Sequence, residues 1–103
     1  MMNPEIKQRW VEALRSGKYE QGRGVLREFR DGKFHYCCLG VLCDLVAPDD
    51  WDREWHRNSI GFPAQEIMDE VGLSRHQAGI LAEMNDGHQY TFSQIADYIE
   101  ENL

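Results

Sequence analysis

Ile6, Trp10, Ala13 and Leu14 recur at i, i+4, i+7 and i+8, the spacing of one helix face. Asn3 is a good N-cap, Pro4 suits the first helical position, and Glu5 complements the positive helix end. Gly17 can end the run in the left-handed conformation. The pattern predicts a helix over residues 4–16. Two short apolar runs follow, Val25–Phe29 and Phe34–Cys37, separated by Arg30-Asp31-Gly32-Lys33. Asp-Gly favours a two-residue turn, because both central positions need positive φ. The turn sets a register: Phe29 opposite Phe34, Arg27 opposite Tyr36, Leu26 opposite Cys37. Val25, Phe29, Phe34 and Cys38 then share one face, which is expected to pack on helices, since an isolated hairpin is marginal.

Cys38–Val46 is the most apolar stretch. It fits a third strand or a buried helix, and the stripe Leu39, Leu42, Cys43, Val46, with a stop at Pro48, favours the helix. Residues 48–62 read as irregular and exposed. Three short helices are expected after them. Pro63 opens one, with Ile67, Met68 and Val71 inward and Gly72 ending it. Ser74-Arg75-His76-Gln77 is a capping box for a second, which Asn85-Asp86-Gly87 breaks. Thr91-Phe92-Ser93-Gln94 caps a third, with Phe92, Ile95, Ala96 and Ile99 on its inner face. The predicted fold class is α+β: a mainly helical single domain, residues 1–103, of about five short helices with one small antiparallel β-hairpin.

The length of 103 residues suits one domain. No apolar run reaches the ~20 residues of a spanning helix, and the N-terminus lacks the apolar stretch of a signal peptide, so a cytoplasmic protein without membrane contact is expected. The formal charge of −7 is unevenly spread. Residues 1–39 carry eight bases and five acids, and residues 40–103 three bases and thirteen acids. An acidic body opposes the many phosphate contacts of duplex binding, but a small anion on the basic third is compatible with it.

That third contains Gln21-Gly22-Arg23-Gly24, with Lys18 before it and Arg27 after. Two glycines allow a tight turn whose N–H groups converge on an anion, and the arginines add charge-assisted bonds. The glycine spacing is not that of a P-loop. The plainer reading is a flexible loop with solvated arginines. Trp51 and Trp55 stand in the irregular loop, where large aromatics either mark a ligand surface or fold back over the core. Cys37, Cys38 and Cys43 with His35 are four conceivable metal ligands, but their spacing is not that of a zinc site, and no metal or cofactor is expected. The thiols read best as small buried hydrophobes. Residues 67–81 resemble a helix-turn-helix in outline, yet the second helix offers only Arg75 as a base, so a plain helical corner is expected. Asp49, Asp50, Asp52 and Glu54 lack the glycine of a calcium loop.

Four segments together resemble a family of small proteins encoded by tailed bacteriophages and prophages. They are Trp10–Tyr19, Gln21–Gly24, Tyr36–Leu45, and Met84–Gly87 followed by Phe92–Glu100; the most specific part is Cys-Cys-Leu-Gly-Val-Leu-Cys-Asp-Leu. The resemblance implies an accessory protein of the infected host's cytoplasm and carries no catalytic residues with it. The leading expectation is a non-enzymatic binding protein for a small anionic, nucleotide-like ligand or a host protein, using Lys18, Gln21, Gly22, Arg23, Gly24, Arg27, Trp51 and Trp55. A homo-oligomer is expected, because a small domain gains burial by pairing. The alternatives are a cysteine-dependent enzyme and a DNA-binding or DNA-mimicking regulator.

Overall fold

The computed structural model describes residues 2–51 and 63–103. Helix α1 spans Pro4–Arg15, and Asn3 caps it by accepting from the Glu5 and Ile6 N–H groups at 2.9 and 3.1 Å. Strands β1 (Glu20–Gln21), β2 (Arg27–Arg30) and β3 (Lys33–Tyr36) form a small mixed sheet in the order β1-β3-β2. Then come α2 (Cys38–Val46), a single 3-10 turn at Pro48–Asp50, α3 (Gln65–Val71), α4 (Arg75–Ala82), a π turn at Glu83–Gly87, and α5 (Phe92–Asn102). This is the α+β, mainly helical architecture expected. The hairpin is present, with a two-residue parallel strand added along β3.

Helix α2 is the centre. Cys38, Leu39, Gly40, Val41, Leu42 and Cys43 are all buried, which is why this run shows no polar face. Helix α1 packs across it and against α5, with Trp10, Val11 and Leu14 inward. The Trp10 indole N–H is satisfied inside by the Cys38 carbonyl at 2.9 Å. A Cβ built on Gly40 would lie 1.8 Å from the Leu26 carbonyl oxygen, so only glycine lets the chain before β2 cross α2 this closely. That crossing delays β2 to Arg27, where the sequence pattern starts a strand at Val25.

The hairpin register is the predicted one: Arg27 opposite Tyr36, Phe29 opposite Phe34, with Asp31 and Gly32 at φ 55° and 81°. The expected packing of its phenylalanines on helices is overturned. Leu26 and Cys37 at the base of the ribbon are buried, and exposure grows toward the turn, reaching 41% at Phe34 and 65% at Phe29.

The capping boxes at Ser74/Gln77 and Thr91/Gln94 both form, and Gly72 ends α3 at φ 79°. Helix α3 starts at Gln65, two residues after Pro63. Asn85-Asp86-Gly87 does not break the chain into a loop. The helical path widens instead into a π turn closed by the His88 N–H on the Glu83 carbonyl (2.9 Å), and Asn85 is carried into the interior.

Candidate functional site

The glycine segment after β1 is occupied by the protein's own groups. The Gly24 N–H donates to the Asp86 carboxylate at 2.9 Å, so the anion expected in this turn is an internal one. The Gly22 N–H donates to the Tyr36 carbonyl (2.7 Å), and the Gln21 amide donates to the Asn85 side-chain oxygen (2.9 Å) and the Tyr90 carbonyl (2.8 Å).

Asn85 is fully buried and saturated. Its Nδ2 donates to the Gly22 carbonyl (2.9 Å) and to Asp86 (2.8 Å); its Oδ1 accepts from Gln21 and from the Cys38 N–H (3.2 Å). That uses both donors and both lone pairs of an amide. Three separate stretches, Gln21–Gly24, Cys37–Cys38 and Asn85–Asp86, are thus tied at one point. Neither Asn85 nor Asp86 is a predicted site residue. Their signal in the sequence is the Met84-Asn85-Asp86-Gly87 run, whose turn-forming composition also describes an ordinary helix break.

The second assembly lies on the other side of β3. The Arg27 guanidinium carbon sits 4.1 Å from the Phe34 ring centroid and 4.2 Å from the Trp51 ring. Rings run along this face in edge contacts: Tyr19 with Tyr36 at 4.9 Å, Tyr36 with Trp51 at 6.1 Å, Phe34 with Phe29 at 5.1 Å. Beneath them Asp44 anchors two of the rings, accepting from the Tyr19 hydroxyl at 2.7 Å and the Trp51 indole N–H at 2.9 Å. Burial, and then the Asp44 charge, raise the Tyr36 hydroxyl above its ordinary pKa against the opposing Arg27. Tyr19 is raised by burial and by its hydrogen bond to Asp44. Both phenols therefore stay neutral near pH 7, with Tyr19 donating to Asp44.

The predicted residues consequently divide. Arg27 and Trp51 meet; Gln21, Gly22 and Gly24 belong to the Asn85–Asp86 knot. Arg23 is exposed and forms no ion pair among the described residues. Lys18 instead lines a groove with Arg9, Glu12, Ala13, Ser16, Tyr19 and Leu45. Trp51 is 7% exposed, so it folds back against the sheet. Trp55 lies outside the described residues.

All three cysteines are buried and unpaired. Burial pushes the Cys37 thiol up to about 11, against the Gly40 N–H that favours its thiolate, and raises Cys38 and Cys43 further. His35 is 8% exposed, and its Nδ1 has no hydrogen-bond partner among the described residues. A nucleophilic thiol needs an accessible thiolate beside a base, and these groups present the reverse. Among the described residues no cluster of three or more His, Cys, Asp or Glu side chains is placed to hold a metal. No described helix is long and apolar enough to cross a membrane.

No curated protein and no solved structure matches the chain. One family model does match, described as a domain of unknown function, DUF8296. The match covers residues 2–62, which include α1, the whole sheet with its aromatic face, α2 and every predicted site residue. As this match spans more than half of its length, the chain belongs to the DUF8296 family.

Proposed function

We propose that the chain is a non-enzymatic binding protein for a small anionic ligand bearing a planar ring, with a nucleotide as the chemical class, and that the ligand lies on the aromatic face of the sheet. The observation that carries this reading is Arg27 held between Phe34 and Trp51 beside the exposed Phe29. Stacking uses the faces of a guanidinium and leaves its N–H donors at the edge, where a phosphate is recognised. The two phenylalanines keep ring surface in water. A base stacked on such a ring gains about 1–3 kcal/mol. Arg23, exposed after β1, supplies a second cation. The glycine turn takes no part, because Asp86 fills it. In the setting implied by the phage resemblance, such a protein would hold a nucleotide signal away from its receptors.

The test is a thermal-shift series with mononucleotides and dinucleotides, with inorganic phosphate as the ring-free control. A nucleotide at 100 times its Kd stabilises by about 2.7 kcal/mol, a rise of about 10 °C or more for a domain of this size. The double variant Arg23→Ala/Arg27→Ala and the single variant Phe34→Ala are expected to keep the fold and lose the response. No shift with any nucleotide, or variants that respond like the parent, overturns the proposal. An equal response to phosphate alone removes the ring from it.

A further inference from the structure

Among the described residues β2 has a strand on one side only, since the sheet order is β1-β3-β2. In an antiparallel ladder, residues alternate between turning both backbone groups toward the partner and turning both away. The Cys37 N–H donates to the Leu26 carbonyl, so Leu26, and by alternation Glu28 and Arg30, face β3. Arg27 and Phe29 therefore direct their N–H and C=O groups outward. Proteins blunt such an edge with shortness, charge, proline, a bulge or a cover. Strand β2, Arg-Glu-Phe-Arg, is short and charged, which disfavours any partner without complementary charge, but it pairs with β3 without a bulge and carries a phenylalanine that is 65% exposed.

We propose that a second copy of this chain pairs with that edge, β2 against β2 and antiparallel, about a twofold axis at Phe29. Charge complementarity selects both the occupant and the register. With Phe29 opposite Phe29 of the second copy, Glu28 faces its Arg30. The ion pair occurs twice by symmetry. Moving the axis to Glu28 sets two carboxylates opposite each other, and moving it to Arg30 sets two guanidinium groups together. Only the Phe29 register sets Glu28 across from Arg30 and also pairs residues whose backbone groups point outward. It forms one six-stranded sheet and sets the two Phe29 rings side by side on its aromatic face. Glu28 and Arg30 lie 3.6 Å apart within one chain, so the dimer exchanges an exposed ion pair for a cross-strand one.

The test is sedimentation equilibrium from about 1 to about 500 µM, where a small interface associates measurably. The parent is expected to pass from monomer to dimer. Arg30→Glu sets Glu28 against a second carboxylate at two symmetric places and is expected to weaken association about tenfold or more. Glu28→Arg combined with Arg30→Glu restores opposite charges and is expected to return association to within about threefold of the parent. Phe29→Lys is expected to be monomeric. A parent that stays monomeric, a dimer unaffected by Phe29→Lys, or a double reversal that fails to restore pairing overturns the proposal. All three substitutions sit on an exposed ribbon, and circular dichroism verifies the fold of each variant.

Discussion

Replacing Asn85 by alanine tests whether the knot holds three parts of the chain together. The side chain makes four hydrogen bonds, two given and two received. Its removal strands the Cys38 N–H at the start of α2 and the carbonyl of the buried Gly22. Each buried group left without a partner costs about 1–3 kcal/mol. Gln21 and Asp86 are partly exposed and recover water, so they add little. Water admitted to the vacated volume offsets some of the loss. The expected destabilisation is about 3 kcal/mol, a large share of the 5–15 kcal/mol that holds a typical domain together. Urea unfolding followed by far-UV circular dichroism should move its midpoint down by about 2 M. Asn102→Ala is the matched control. Among the described residues that amide bonds only the Tyr98 carbonyl at the exposed end of α5, and its removal should change stability by no more than about 0.5 kcal/mol. A loss below about 1 kcal/mol for Asn85→Ala would show that the knot is not what joins the loop, α2 and the π turn.

Two glycines in helices should respond in opposite directions. Gly40→Ala places a methyl against the Leu26 backbone and should cost about 4 kcal/mol or more, lowering the thermal midpoint by about 15 °C or more. Gly79→Ala in α4 meets nothing within 4 Å and should stabilise by about 0.5–1 kcal/mol, so a rise for the first variant or a large fall for the second contradicts the packing described. The thiols make an alkaline prediction. Burial raises Cys37 from 9.0 to about 11, and Cys38 and Cys43 move the same way, so the folded state holds these protons more tightly than the unfolded one. The stability contributed by the neutral thiols is complete below pH 9 and falls as pH rises toward and through 11, so the urea midpoint should drop over that interval. Native protein near pH 8 should react slowly with iodoacetamide at all three sites; rapid alkylation of one would reopen the thiol chemistry.

Local signals determined a great deal of this molecule. Asn3, Ser74 and Thr91 start their helices by bonds that reach at most three residues along the chain. Asp31-Gly32 sets the hairpin register through its own backbone angles, and the apolar run from Cys38 becomes the buried central helix because it has no polar face to show water. Such features depend on neighbours in sequence, so they are legible there. Tertiary structure alone decided the rest. Which face of the ribbon turns outward depends on Leu26 crossing α2 at Gly40, a contact between segments 14 residues apart. Whether Gly22–Gly24 cradles a foreign anion depends on Asp86, which lies 62 residues from the N–H it accepts. Arg27 and Trp51, both singled out in the sequence, meet only because the chain after α2 brings the indole back onto the sheet and Asp44 holds it. A hydrogen-bond donor in a turn looks the same in sequence whether its partner is a ligand, water or a distant carboxylate, and only the folded chain selects among them.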